Sequence, residues 1–137
     1  MNPTSFSNEG RRWMLVDDNT EFLAILRAAA KNFTNAIIEC HDSPQSALAA
    51  FAAVPGSYEL VITDLEMPGM NGVELCRLLH DISPLQRVFL ATGSGFFTDA
   101  AAQYAGFNAL LNKPFSLVAL QEALTAAGLE SECAHAT

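Results

Sequence analysis

The chain has 137 residues and a formal charge of −8, and half of it is apolar. That length fits one domain with a substantial core. With seven Lys or Arg in all, and Arg11 and Arg12 the only adjacent basic pair, it lacks the basic stripe that binding to a phosphate backbone requires.

Met1 to Gly10 is polar and reads as a lead-in to the fold. Trp13 to Val16 is a short apolar run that stops at Asp17-Asp18 and predicts a first strand. Phe22, Leu23, Leu26 and Ala30 then recur at helical spacing, with Asn19 or Thr20 as the cap. Ala36 to Cys40 predicts a second strand. Ser43-Pro44 has the form of an N-cap with proline at the first helical position, opening a helix that runs to about Val54 and stops at Pro55-Gly56. Leu60 to Thr63 predicts a third strand ending at Asp64, and Met67 to Gly72 is a turn-rich loop. Leu75, Leu78, Leu79 and Ile82 predict the next helix, broken at Ser83-Pro84. Val88 to Ala91 is a fourth strand ending at Thr92-Gly93, and Thr98 caps a short helix through Tyr104. Phe107 to Leu111 is a fifth strand ending at Asn112-Lys113-Pro114, and Ser116 caps a last helix carrying Leu117, Leu120 and Leu124. Glu130 to Thr137 is a polar tail.

Five strand-helix units of short period predict a parallel sheet with helices on both faces. The strands lack alternation, as expected when both faces are covered. Residues 11–127 form one domain, with 1–10 and 128–137 outside it. The longest apolar run, Ala47 to Val54, has eight residues, well short of the roughly 18 of a membrane span. Cys40, Cys76 and Cys133 match no metal or redox spacing. A soluble cytoplasmic protein is the expectation.

Ligands of open α/β sheets bind beyond the carboxyl ends of the strands. There the sequence places Asp17, Asp18, Asp64, Thr92 and Lys113. Crowded carboxylates raise one another's pKa values, and a hard divalent cation removes that cost. Mg²⁺ takes one or two carboxylates, keeps waters and uses phosphate oxygens for its remaining positions. A carboxylate can itself be the nucleophile in phosphoryl transfer, where catalysis is mainly positioning and charge. Mg²⁺, Lys113 and the Thr92 hydroxyl would each attend one phosphoryl oxygen.

Leu15-Val16-Asp17-Asp18-Asn19, Thr63-Asp64-Leu65-Glu66-Met67-Pro68-Gly69-Met70-Asn71-Gly72, Ala91-Thr92-Gly93 and Asn112-Lys113-Pro114-Phe115 resemble the motifs of response-regulator receiver domains of two-component signalling, in their single-domain, chemotaxis-regulator-like form. The resemblance covers nearly the whole chain. It implies a flavodoxin-like doubly wound (βα)5 fold with strand order 2-1-3-4-5. It implies Asp64 as phosphoacceptor, Asp17 and Asp18 as the acidic pair for Mg²⁺, and Glu66 as the position whose main-chain carbonyl completes the metal shell. Thr92 matches the hydroxyl residue that moves toward the phosphoryl group, and Lys113 the charge-neutralising lysine, with a cis Lys113-Pro114 bond. A histidine kinase or histidine phosphotransfer protein as donor and a downstream effector protein as reader follow from the same resemblance. So do a monomer or weak dimer, and slow self-dephosphorylation rather than enzyme turnover.

One position departs from the family's pattern. Three residues before the lysine the family has Tyr or Phe as a switch; here it is Leu110. Phe96, Phe97 or Tyr104 could substitute. Ser94 and Glu66 match positions that tune the lifetime of the aspartyl phosphate. The main alternative is a phosphorylation-independent pseudo-receiver acting as an interaction module. A flavin electron carrier is disfavoured because Asp17-Asp18 would repel the cofactor's phosphate. An aspartate-based phosphatase finds its acid in Glu66, but Met67-Pro68-Gly69 does not suit it. His41, His80 and His135 read as surface or partly packed residues.

Overall fold

Strands covered on both faces must be apolar on both faces, and the central ones here are. The computed structural model describes residues 11–93 and 106–129. In chain order it contains β1 (Arg12–Val16), α1 (Thr20–Ala30), β2 (Ile37–His41), α2 (Pro44–Ala53), a 3-10 turn (Pro55–Ser57), β3 (Tyr58–Asp64), α3 (Gly72–Ile82), β4 (Val88–Thr92), β5 (Ala109–Asn112) and α4 (Leu117–Ala126). The strands form one sheet, ordered β2-β1-β3-β4-β5, in which every neighbouring pair is parallel. This is the doubly wound, flavodoxin-like α/β fold expected from the sequence.

Alternate side chains of the central strands enter separate cores. Met14, Val16, Val61, Val88 and Leu90 cluster with Ala47 and Phe51 of α2 and Leu75 and Leu79 of α3. Trp13, Leu15, Leu60, Ile62 and Phe89 cluster with Leu23, Leu26 and Ala30 of α1 and Leu120 and Leu124 of α4. Each large apolar side chain so buried contributes about 1.5–3 kcal/mol. The edge strand β2 is more exposed, and it carries Glu39, whose carboxylate accepts from the Tyr58 hydroxyl at 2.9 Å.

The helix starts follow the sequence closely. Asn19 Oδ1 accepts from the N–H groups of Glu21 and Phe22. Ser43 caps α2 with Pro44 at its start, and Ser116 caps α4. The α3 cap is a reciprocal box between Asn71 and Glu74 that the sequence reading did not name. Such caps satisfy backbone donors that a helix leaves unpaired.

The strand bounds differ from expectation for local reasons. β2 begins at Ile37, because the N–H of Ala36 donates to Thr34 Oγ1 in a turn, and it extends to His41, opposite Val16. β3 begins at Tyr58, where an irregularity lets Arg12 pair with it. β5 begins at Ala109, because the Asn108 side chain accepts the N–H of Val88 at 2.9 Å. The helix expected from Thr98 to Tyr104 lies outside the described residues.

Gly72 ties the loop after β3 to that strand's end. Its N–H donates to the Leu65 carbonyl at 2.9 Å, and a Cβ there would lie 2.4 Å from the Asp64 carbonyl oxygen. That neighbour is backbone and cannot step aside cheaply. Gly72→Ala is therefore expected to destabilise the fold by about 1–3 kcal/mol, read as a lower urea midpoint at unchanged slope.

Candidate functional site

All strands run the same way, so their carboxyl ends meet on one side of the sheet. Asp17 follows β1, Asp64 ends β3, Thr92 ends β4 and Lys113 follows β5. Asp64 lies opposite Ala91, and Thr92 opposite Asn112, so the ends of these neighbouring strands lie side by side. Asp17, Asp64 and Thr92 are buried, at 1%, 5% and 1% exposure, whereas Asp18 is exposed.

Each buried group has a defined setting. The Asp17 N–H donates to the His41 carbonyl. Asp17 Oδ1 accepts from the Asn19 N–H at 2.9 Å, and Oδ2 accepts from Lys113 Nζ at 2.7 Å. Lys113 Nζ is also 3.1 Å from Asp64 Oδ1, but the alignment makes no hydrogen bond, and that buried oxygen has no hydrogen-bond partner among the described residues. Thr92 donates its hydroxyl to Glu66 Oε2 at 2.8 Å. The Lys113-Pro114 bond is cis, as expected.

The electrostatics follow from crowding. Burial pushes the Asp64 carboxyl up to about 6; Lys113 pulls it down, and the charges of Asp17 and Glu66 raise it further. Burial works against the charge on Lys113, but its hydrogen bond to Asp17 and its ion pairing with Asp64 outweigh that and raise its pKa. Carboxylate oxygens of Asp17, Asp18 and Asp64 all lie within 4.8 Å of one another, the one such potential metal-holding group among the described residues. One ammonium cannot balance three carboxylates. An all-oxygen donor set that includes the buried Asp64 Oδ1, without a hydrogen bond among the described residues, fits a hard divalent cation.

Asp17, Asp18, Asp64 and Lys113 are thus brought together, with Thr92 at the end of the adjacent strand. Glu66 joins them through its carboxylate on Thr92. Leu110 sits in β5 opposite Leu90, half-buried against the core on the α2 and α3 side. Ser94, Phe96, Phe97 and Tyr104 lie outside the described residues. Phe22, on the packed face of α1, has a second contact that helical spacing does not signal, with Lys113 Nζ 4.4 Å from the ring centroid. No spacing signal links residues so far apart. His41 is half-buried and bonded to Glu39 and Ser46, and His80 to the Gln86 carbonyl.

The family model for the response regulator receiver domain matches residues 14–125. The chain belongs to the response regulator receiver domain family. Receiver domains are signalling modules of two-component systems and are generally not enzymes. Among similar proteins, the transcriptional regulatory protein TcrA of Mycobacterium tuberculosis is 31% identical over 110 residues, 79% of this chain and 42% of TcrA. The signal transduction histidine-protein kinase BarA of Shigella flexneri is 32% identical over 74 residues, 54% of this chain and 8% of BarA. The receiver domain thus spans less than half the length of these curated relatives. A receiver domain protein from Clostridium thermocellum has the same fold, with a TM-score of 0.77 at 24% identity over 85% of this chain and 93% of that one. No helix among the described residues is long and apolar enough to cross a membrane.

The raised Asp64 pKa has a consequence for the metal-free receiver. Its folded value, about 6, exceeds the ordinary 3.8, so the folded state holds that proton more tightly than the unfolded chain. Ionising Asp64 then costs stability as pH rises from about 4 through 6. Asp64→Asn is expected to stabilise the metal-free protein at pH 7.5 by on the order of 1–3 kcal/mol. Denaturation melts at both ends of that range check this: the gain should vanish near pH 4.

Proposed function

We propose that this receiver domain takes a phosphoryl group from a phosphohistidine donor onto Asp64 and thereby switches the binding of a downstream protein. The observation that carries the reading is the buried oxygen of Asp64, which has no hydrogen bond among the described residues, set among Asp17, Asp18 and Lys113. Asp17, Asp18 and Asp64 would hold Mg²⁺, together with the main-chain carbonyl of Glu66. Bound there, the cation supplies positive charge to phosphoryl oxygens.

The chain's own groups perform the rest. An Asp64 carboxylate oxygen attacks phosphorus, the bond from phosphorus to the donor imidazole nitrogen breaks, and the electron pair leaves with the imidazole. Lys113, already 3.1 Å from Asp64 Oδ1, stabilises charge on a phosphoryl oxygen. Thr92 exchanges its bond to Glu66 for one to the phosphoryl group, and that exchange couples the covalent change to the end of β4. Two conformations of different partner affinity would then change in population.

The donor would be a histidine kinase or a histidine phosphotransfer protein, and the reader an effector protein. Relatives that include a transcriptional regulator and a histidine kinase support such partners. A net charge of −8 supports protein partners over nucleic acid. The functional unit would be residues 11–127, cytoplasmic, and a monomer or weak dimer. Leu110 favours a second reading, in which partner binding ignores phosphorylation because no aromatic ring occupies that position.

Incubation with acetyl phosphate, with and without Mg²⁺, tests the first reading by intact mass. One Mg²⁺-dependent phosphoryl adduct is expected, and it should be absent in Asp64→Asn. A folded, Mg²⁺-binding protein that takes no phosphoryl from acetyl phosphate or from a phosphohistidine donor would refute it. Partner affinity that is equal with and without beryllofluoride would favour the second.

A further inference from the structure

Lys113 is held from three sides. Its Nζ lies 2.7 Å from Asp17 Oδ2 and 3.1 Å from Asp64 Oδ1. The third side is the ring of Phe22, with Nζ 4.4 Å from its centroid. An aromatic face attracts an ammonium through its quadrupole, more strongly where water is excluded. The Lys113 side chain is 17% exposed, so the contact is largely shielded.

The three contacts differ in what happens when the site is loaded. Asp17 and Asp64 are the carboxylates that the proposed cation would take. A ring offers nothing to a hard cation that prefers oxygen. Among the described residues, the Phe22 face is therefore the anchor of the Lys113 ammonium for which metal binding does not compete. The main chain and the ring of Phe22 are each held. The Phe22 N–H donates to Asn19 Oδ1 at 3.1 Å, and the Asn19 N–H donates to Asp17 Oδ1 at 2.9 Å. Phe115, just past the cis Lys113-Pro114 bond, meets the Phe22 ring edge-on at 5.9 Å and 78°. The loop that carries Asp17 and the loop that carries Lys113 thus both end on this ring.

We infer that Phe22 is a positioning residue whose ring face keeps the Lys113 ammonium beside Asp64 when the carboxylates turn to the metal. The inference rests on the acceptor role proposed for Asp64. A leucine in place of Phe22 fills much of the same volume without a quadrupole. A tyrosine keeps the ring.

Two measurements on the wild type, Phe22→Leu and Phe22→Tyr test it. The first is the rate of phosphoryl uptake from acetyl phosphate at saturating Mg²⁺. Leucine should slow it about three- to tenfold, and tyrosine should stay within about twofold of wild type. The second is the NMR shift of the Lys113 ε-methylene protons, which the ring should move upfield. That shift should persist at saturating Mg²⁺ in the wild type and the tyrosine variant, and be lost with leucine. Leucine as fast as wild type, or tyrosine as slow as leucine, would overturn the inference. So would a wild-type shift that Mg²⁺ abolishes, which needs no variant and decides the matter even if leucine unfolds the protein. A wild type that keeps its shift but takes no phosphoryl would instead overturn the acceptor role itself.

Discussion

Three carboxylates share the end of one sheet with the ammonium of Lys113, and that imbalance governs the site. Asp17 and Asp64 are buried, where unbalanced charge is costly. Lys113 relieves part of the cost by bridging both. The remainder appears as the raised pKa of Asp64 and as an oxygen with no hydrogen bond among the described residues. A site in this condition binds a proton or a cation more readily than isolated carboxylates would. The strain that makes the apo site costly also makes it receptive.

The fold creates this crowding through its parallel topology. Sheet order β2-β1-β3-β4-β5 sets β1 beside β3 and β3 beside β4, so Asp17, Asp64 and Thr92 end adjacent strands. Both faces of the sheet are covered, and the polar groups collect where the cover ends. The loops are held from within: Asn19 caps α1 and also donates to Asp17, while Gly72 lies against the Asp64 carbonyl. Site geometry and fold stability are therefore difficult to change separately along β1 and β3.

Thr92 and Lys113 each hold a contact that the proposed chemistry would redirect. Thr92 rests on Glu66 and Lys113 on Asp17. Such groups suit a switch, since a new oxygen at Asp64 competes for donors that already have acceptors. Leu110 is built into the core on the α2 and α3 side and lacks a ring to swing. Any response at that face must then use a route other than an aromatic rotation at this position.

The sequence by itself determined the βα alternation, the doubly wound class and the residues at the strand ends. Those signals are local: apolar runs that stop at Asp17, Asp64 and Thr92, the Ser43-Pro44 and Ser116 caps, and motif spacing around Asp64 and Lys113. Strand bounds were less legible, because pairing is set by the neighbour. Asn108 replaces a ladder partner with its side chain, and Arg12 finds Tyr58 through an irregular register. Which atoms touch depends on packing in three dimensions: Lys113 on Asp17 rather than evenly between the two carboxylates, Glu66 through its side chain on Thr92, and Phe22 beneath the ammonium. These contacts join residues from different βα units. Their distances come from how helices and strands pack, which no local pattern along the chain encodes.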